Sequence, residues 1–321
     1  MTNRAKPSGQ QPAFESRFLC PRFWGIWLGV GLLWFTHLLP LNIQFYIGKA
    51  LGFLMYALAI KRRRLAKKNI ALALPELNPT EQQRILKQHF VNLGLAIIET
   101  GIVWFGDHRK HPQGPKESNL VSFVGEEHLL NAVQSDRGVL ILAPHFTHLE
   151  ISGLFISMLI NFNPVYRPHN NALMDYLIKR GRALPSFNTE SQTIEYAKPI
   201  ANSNTRQMLK VLKNGENMIL LPDQRYRSKG KVIVPFFGHD AKSNPATSKI
   251  AQLTQAQVVP TFTRRTNKFK YEVRFLPALK DFPGESKEED TIRLHKLYEA
   301  EIKVNPAEYL WVHNRWDIKE R

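Results

Sequence analysis

The sequence predicts an α/β fold with a mostly parallel central sheet flanked by helices, with an N-terminal transmembrane helix and a second apolar, membrane-associated helix. Three observations lead to this prediction. Short apolar runs typical of buried strands recur beyond residue 70. Segments with helical spacing of apolar residues separate these runs. An uncharged apolar stretch precedes them near the N-terminus.

The strands and helices are predicted to alternate along the chain, which favours parallel pairing of the strands. The predicted strands are Val121 to Val124, Val139 to Ala143, Val165 to Arg167, Asn217 to Leu221, Val232 to Phe237, Val258 to Thr263 and Tyr271 to Leu276. The predicted helices are Glu126 to Val133, Asn171 to Arg182, Thr205 to Lys213, Thr247 to Gln255 and Glu288 to Val304. A further helix is expected after Asn78-Pro79-Thr80-Glu81, which supplies a cap and a first-turn proline.

The composition limits the classes of protein that the chain can belong to. Its 321 residues carry 44 Lys and Arg against 27 Asp and Glu, a net charge of +17, so an anionic partner is expected. A hydrophobic content of 43% excludes a disordered or collagen-like chain. The single cysteine, Cys20, excludes an intrachain disulfide and a multi-thiolate metal site.

Residues 23 to 48 contain no Asp, Glu, Lys or Arg, and Phe23 to Leu41 is nearly all apolar. About 20 apolar residues in a helix cross the roughly 30 Å hydrocarbon core of a bilayer. A cleaved signal peptide is the alternative, but its apolar core is usually shorter, and a small-residue cleavage site is missing here. We therefore expect a retained transmembrane anchor.

A second apolar stretch, Leu41 to Ile60, is rich in glycine and is compatible with a return span, an interfacial helix or a buried core helix. Six basic residues follow it within eight positions, between Lys61 and Lys68. Positive charge next to an apolar segment indicates the cytoplasmic side and attracts anionic lipids. We prefer this interpretation to nucleic-acid binding, because no recognised nucleic-acid motif accompanies the run.

The segment with the most chemically active side chains follows the predicted strand Val139 to Ala143. Ligands bind beyond the carboxyl ends of strands in such sheets. His145 lies in the connection, and Glu150 is expected about one turn into the next helix, from where its carboxylate could orient the imidazole. His145 could then remove a proton from a hydroxyl.

Other chemistries fit this sequence less well. His145, His148 and Glu150 do not match a zincin signature, so no metal is expected. The Gly-x-Ser-x-Gly motif of serine hydrolases is absent. Because Cys20 lies at the membrane flank, direct attack by an acceptor hydroxyl is favoured over an acyl-enzyme.

Several blocks in a fixed order together resemble one family. The first block is Gly138-Val-Leu-Ile-Leu-Ala-Pro-His-Phe-Thr-His-Leu-Glu150. The others are Lys68-Asn69-Ile70 with Leu74-Pro75-Glu76-Leu77, Tyr166-Arg167-Pro168 with Gly181-Arg182, Leu221-Pro222-Asp223-Gln224, Pro235-Phe236-Phe237-Gly238, Val259-Pro260, and the tail from Pro306 through Trp311 to Trp316. Spanning about residues 20 to 317, the set is similar to the late acyltransferases of lipid A biosynthesis, in the lysophospholipid acyltransferase superfamily.

The resemblance implies transfer of a fatty acyl group from acyl carrier protein to the hydroxyl of a 3-hydroxyacyl chain on a lipid A precursor. It implies a Gram-negative inner membrane enzyme with its catalytic domain on the cytoplasmic side, and no cofactor. Residues 1–60 would then form the tail and anchor, and residues 61–321 the acyltransferase domain. An acidic carrier protein and a phosphorylated acceptor would both suit the excess of positive charge.

Three further side chains are candidate substrate contacts because each follows a predicted strand: Arg167, Asp223 and Gln224. Arg167 could bind a phosphate or the thioester, or form a structural ion pair. Basic residues between Arg225 and Lys231 could contact phosphate or carrier protein, or simply face solvent. Two other functions stay open: an acyltransferase for a lysophospholipid or another glycolipid, and a non-enzymatic membrane-associated lipid-binding protein.

Overall fold

The computed structural model describes residues 12–111, 116–188 and 191–317. Its central sheet has seven strands in the order β1-β11-β10-β2-β7-β3-β6, and two separate two-stranded sheets pair β4 with β5 and β8 with β9. The strands are β1 (Val121–Val124), β2 (Val139–Leu142), β3 (Asn163–Tyr166), β4 (Pro185–Asn188), β5 (Thr193–Tyr196), β6 (Ile200–Ala201), β7 (Met218–Leu220), β8 (Val232–Phe236), β9 (His239–Ser243), β10 (Gln257–Asn267) and β11 (Lys270–Phe275).

Ten α-helices connect and cover these strands within the described residues. They are α1 (Trp24–His37), α2 (Leu41–Leu58), α3 (Ile60–Ala73), α4 (Pro79–Phe105), α5 (Glu126–Val133), α6 (Leu149–Ser157), α7 (Ala172–Arg182), α8 (Thr205–Lys213), α9 (Ala246–Thr254) and α10 (Lys287–Val304). The predicted α/β class is confirmed. The predicted cap of α4 is also present, as a capping box between Asn78 and Glu81.

The central sheet is parallel except where β10 turns back into β11. All four residues of β2 are buried. Leu140 and Leu142 pack into the core on one face, whereas Val139 and Ile141 pack into the core on the other. This period of two places β2 at the centre of a sheet covered on both sides, as expected for parallel strands.

The sequence prediction missed β4, β5, β6 and β9. β9 is polar and lacks apolar alternation, and it is held by its pairing with β8. The turn between them has two residues, Phe237 and Gly238, both with positive φ. Two positive φ angles are what a type I′ hairpin turn needs, although phenylalanine is an unusual residue there.

The N-terminal apolar stretch forms two helices rather than one span. Pro40 separates α1 from α2, because proline lacks the N–H that would continue the helix. The Gln44 side chain donates to the carbonyls of His37 and Leu39, at 3.1 Å and 2.7 Å, and so satisfies the broken end. With 14 residues α1 is about 21 Å long, shorter than the roughly 30 Å core of a bilayer. The predicted transmembrane helix is not confirmed.

Two other helical segments have the length and composition of a membrane span within the described residues. One runs from Pro79 to Arg109, and 67% of its apolar window is buried inside the protein, which is typical of a core helix. The other is the pair α2 and α3, which is bent by 93°.

Glycines bring α2 and α4 into close contact. An added Cβ on Gly94 of α4 would lie 2.2 Å from the carbonyl oxygen of Gly48 and 2.3 Å from the nitrogen of Gly52, both on α2. An added Cβ on Gly52 would meet the backbone of Phe90 and Val91 at about the same closeness. Of the three roles open for Leu41 to Ile60, this contact supports the core helix on one face, while Tyr46 and Phe53 remain exposed on the other.

We predict that Gly94→Ala lowers the free energy of unfolding by about 2 kcal/mol or more, because backbone on both sides must move apart. Gly29→Ala is the matched control: it lies on α1 with nothing within 4 Å of its added Cβ, so it should be neutral or slightly stabilising. Denaturant unfolding of the two purified variants measures the difference. Equal stability would contradict close packing of α2 on α4.

Candidate active site

Three neighbouring strands bring the predicted site residues to one edge of the sheet. β7 lies between β2 and β3 and is parallel to both. His145 follows β2, Asp223 and Gln224 follow β7, and Arg167 directly follows β3. The sequence prediction that strand ends carry the site therefore agrees with the arrangement of the strands.

The imidazole of His145 is paired with Asp223. Its Nδ1 lies 2.6 Å from Oδ1 of Asp223, and its backbone N–H donates to Oδ2 at 3.1 Å. A carboxylate can only accept, so Nδ1 carries a proton, and in the neutral ring Nε2 has the lone pair. The His145 side chain is 21% exposed, so the ring is accessible from solvent. This is the tautomer that a general base requires.

Asp223 lies at the bottom of this site and is fully buried. Burial alone would raise the pKa of its carboxyl, but the charge and hydrogen bonds of His145 and the charge of Arg315 lower the pKa below its ordinary value. Tyr309 also contacts it: burial and then the charge of Asp223 raise the pKa of the Tyr309 hydroxyl well above its usual range. We expected Asp223 to contact the substrate. Its carboxylate is instead buried and hydrogen-bonded to His145.

Glu150, which we expected to orient His145, pairs with another residue. It lies in the first turn of α6, as predicted, but its carboxylate binds Arg182 at the end of α7. Nε of Arg182 lies 3.0 Å from Oε1 and 3.3 Å from Oε2. The carboxylate predicted to orient His145 is thus held by a guanidinium, and Asp223 of the neighbouring strand takes that position.

The Glu150 and Arg182 side chains are each about one-quarter exposed, so the pair is accessible from solvent. Arg167 is exposed, and it makes no ion pair or side-chain hydrogen bond with the described part of the chain. Gln224 is partly buried. Arg167 and Gln224 are therefore available to a ligand, whereas the Arg182 guanidinium is already paired.

The C-terminal tail completes the loop that carries His145. The backbone N–H of Leu310 donates to the His145 carbonyl at 3.0 Å, and that of Thr147 donates to the Glu308 carbonyl at 2.8 Å. Phe146 and Tyr309 form an isolated β-bridge between these contacts. The tail therefore fixes the backbone on both sides of the histidine.

Two buried polar side chains pack among the tail contacts that hold the His145 loop. His148 is fully buried, with Nδ1 3.1 Å from Oγ of Ser152 and Nε2 3.1 Å from Oε2 of Glu308. Arg315 is also buried, and its guanidinium donates to the Lys242 carbonyl at 3.0 Å. Both side chains serve the packing of the tail.

The tail is also attached to the basic helix α3. The Asn69 side-chain amide donates to the carbonyls of Trp311 and His313, at 2.7 Å and 2.8 Å. On the same helix Arg62 donates to the Val312 carbonyl at 3.3 Å. Two blocks that stand at opposite ends of the sequence therefore meet behind the site.

An apolar crevice adjoins the end of β2. Its free volume is about 10 Å³, room for little more than a water molecule. The lining residues are Ala143, Pro144, Phe146, Leu149, Ser152, Ile156, Ile219, Thr261 and Thr263. In the parts of the chain that the structure describes, no three His, Cys, Asp or Glu side chains are grouped to hold a metal ion.

Comparison with known proteins gives a consistent result. The family described as bacterial lipid A biosynthesis acyltransferase matches residues 11–317. The chain is 29% identical to the lipid A biosynthesis palmitoleoyltransferase of Escherichia coli K12 over 96% of both chains. It is equally similar, over the same shares, to the lauroyltransferase of that organism. It is 30% identical to a lipid A biosynthesis acyltransferase of Haemophilus influenzae Rd, over 96% of this chain and 95% of that one.

A more distant likeness is to the crystal structure of the 1-acyl-sn-glycerophosphate acyltransferase of Thermotoga maritima. The sequence identity is 13% and the TM-score is 0.36, over 76% of this chain and 97% of that one.

The hydrogen bonds of His295, next to the buried tail, predict a pH dependence of stability. Nδ1 lies 2.7 Å from the Pro235 carbonyl and Nε2 3.3 Å from the Arg315 guanidinium, which can only donate. The ring must therefore be neutral; burial and then the charge of Arg315 lower its pKa to about 4. Because the unfolded chain binds a proton near pH 6.5, the free energy of unfolding should fall between about pH 6.5 and pH 4, by up to roughly 3 kcal/mol for this group.

His295→Gln removes the titrating imidazole. The variant should therefore be less stable at pH 7, because the ring's hydrogen bonds are disturbed, and it should lose less stability on acidification. Unfolding midpoints measured across this pH range test the prediction. His128→Gln, at a partly exposed histidine on α5, is the control and should keep the full slope. An unchanged slope in the His295 variant would show that the ring is not the group responsible.

Proposed function

We propose that this chain, which belongs to the bacterial lipid A biosynthesis acyltransferase family, transfers a fatty acyl chain from acyl carrier protein to the hydroxyl of a 3-hydroxyacyl chain on a lipid A precursor. The protein is an acyltransferase of lipid A biosynthesis; the donor, the acceptor position and the mechanism belong to the proposal. The observation that carries it is the His145–Asp223 pair, which leaves Nε2 of His145 free to act as a base.

The proposed reaction is a direct transfer. Nε2 of His145 removes the proton of the acceptor hydroxyl as the oxygen attacks the thioester carbonyl. The tetrahedral intermediate then expels the thiolate of the carrier, which takes the proton from the imidazolium and leaves as the thiol, and an ester remains on the acceptor. Asp223 stabilises the imidazolium through Nδ1–H. Cys20 lies in the N-terminal segment, before α1, which favours a route without an acyl-enzyme.

Glu150 keeps a part in the proposal through Arg182. The pair lies at the start of α6, one turn from His145, and its charges are partly exposed. We assign it to holding the region of the thioester or acceptor, with Glu150 fixing the guanidinium. Arg167 and Gln224, both at strand ends, would contact the same substrates.

The apolar crevice beside β2 is proposed to receive the acyl chain. Its lining is apolar apart from hydroxyl side chains, and it starts at Pro144, next to His145. Because its present volume is about 10 Å³, side chains would have to move for a fatty acyl chain to enter.

The protein is proposed to act at the inner membrane, on the cytoplasmic side. Large apolar side chains are exposed together on α1 and α2, among them Trp24, Leu28, Leu32, Phe35, Tyr46 and Phe53. Exposed apolar side chains in this number are typical of a membrane or protein contact. The basic residues of α3 follow directly, and each can add about 1 kcal/mol of attraction to anionic lipid.

Expression of the chain in a Gram-negative strain that lacks its own late acyltransferases should add an acyl chain to lipid A, detected by mass spectrometry. His145→Ala and Asp223→Asn should add none, because transfer by the purified variants should fall by about 10² or more. An unchanged acyl count with the wild-type chain would contradict the proposed function.

The variant Glu150→Gln distinguishes the role of Glu150 from that of Asp223. If Asp223 is the partner of His145, Glu150→Gln should lose less activity than Asp223→Asn, and Arg182→Gln should lose about as much as Glu150→Gln. Circular dichroism controls for folding. A folded Glu150→Gln enzyme that is as inactive as Asp223→Asn would return the orienting role to Glu150.

Replacing Leu28, Leu32 and Phe35 on α1 by Gln should move the protein from the membrane fraction towards the soluble fraction, because apolar area is lost from the contact surface. A variant with Gln at Ile233 and Leu253 is the matched control, since these residues are also exposed but lie on β8 and α9. Flotation with anionic vesicles measures both. Equal membrane binding by the two variants would exclude α1 from the contact.

A further inference from the structure

A basic pocket lies beyond Asp223, on the segment that carries it. Its volume is about 260 Å³, and four cationic side chains and one carboxylate line it: Arg225, Arg227, Lys231, Lys242 and Asp317. A pocket with this excess of positive charge attracts an anion. The mechanism above uses none of these residues.

The pocket is attached to the active site through the backbone. The N–H of Arg225, two residues after Asp223, donates to Nε2 of His313 at 3.1 Å. The His313 ring is also close enough to Asp223 and His145 for their charges to act on it, so the ring contacts the pocket segment and lies near the His145–Asp223 pair. The N–H of Tyr226 donates to the Lys242 carbonyl at 3.0 Å, which fixes the two sides of the pocket together.

Asp317 already places an anionic group in this pocket. Its Oδ2 lies 2.8 Å from Nζ of Lys242, and its Oδ1 pairs with the Arg225 guanidinium. The hydrogen bond from Lys242 lowers the pKa of Asp317, so the side chain is ionised at neutral pH. The carboxylate is also 52% exposed, so solvent and a competing anion can reach it.

Two cationic side chains of the pocket do not pair with Asp317. Within the described residues, the side chains of Arg227 and Lys231 make no hydrogen bond or ion pair, and both line the pocket together with Asp317. A carboxylate has two acceptor oxygens, whereas a phosphate has three and a larger charge. A phosphate would therefore satisfy more of the pocket than Asp317 does.

We infer that this pocket binds a phosphate group of the glycolipid acceptor, and that Asp317 is an internal substitute which the phosphate displaces. The inference rests on the proposed function. The basic residues between Arg225 and Lys231 would then bind the acceptor. Asp317 would compete with the phosphate and so weaken acceptor binding.

The test compares purified full-length variants in detergent. Arg227→Gln with Lys231→Gln should raise the KM for the phosphorylated acceptor about tenfold, which corresponds to one lost charge-assisted hydrogen bond. Lys229→Gln is the matched control, because Lys229 lies in the same loop but does not line the pocket, and its KM should stay within about twofold. Asp317→Asn should lower the KM, because the competitor is removed.

Each of the following kinetic results would overturn the inference: an unchanged KM for the acceptor in the double variant, a change confined to the KM for the acyl donor, or an effect of equal size on an acceptor without phosphate. The second would assign the pocket to the acidic carrier protein. An effect that follows the anionic phospholipid content of mixed micelles, at fixed acceptor, would assign it to lipid headgroups and also overturn the inference.

Binding of inorganic phosphate separates this inference from the proposed function. Thermal unfolding of the wild-type chain should shift upward with added phosphate, the double variant should lose the shift, and Asp317→Asn should reach it at lower phosphate. This readout needs no transfer reaction. If the chain adds nothing to lipid A and yet shows these shifts, the function fails and the phosphate site stands; without the shifts the site fails.

Discussion

The arrangement of this site depends on the burial of one carboxylate, that of Asp223. An ionised carboxyl group out of contact with water is strongly unfavourable unless hydrogen bonds and opposite charge surround it. The compensation comes from His145 beyond β2 and from Tyr309 and Arg315 of the tail. Because these groups belong to distant parts of the chain, stabilising one charge brings the strand edge, the catalytic loop and the tail together.

Much of this fold could be predicted from sequence because its strands are apolar runs whose pattern is local. The elements that were missed depend on partners: β9 is a strand because β8 pairs with it. The first apolar stretch was expected to span a bilayer, but its helix α1 ends at His37, before Pro40. Hydropathy measures how apolar a segment is, and it does not tell which of its faces packs on α4.

The same distinction explains the site. His145, Arg167 and Gln224 could be proposed as site residues from the sequence because each follows an apolar run. The partner of His145 could not be chosen from spacing, since Glu150 is close in sequence while Asp223 is close across the sheet. Strand order would have resolved it, because β2 and β7 are neighbours. Glu150 pairs with Arg182 of α7 and not with His145. This pairing could not be predicted from a local sequence pattern, because it depends on how α7 packs beside α6.

The attachment of the tail to the His145 loop also sets an order of events during synthesis. A chain leaves the ribosome from its N-terminus, and its domains begin to fold in that order. The loop obtains its last partners from Glu308 and Leu310, close to the end of the chain. By then the apolar helices α1 and α2 have long emerged, so the contacts that fix the His145 loop are among the last to form, after the exposed apolar surface of these helices exists.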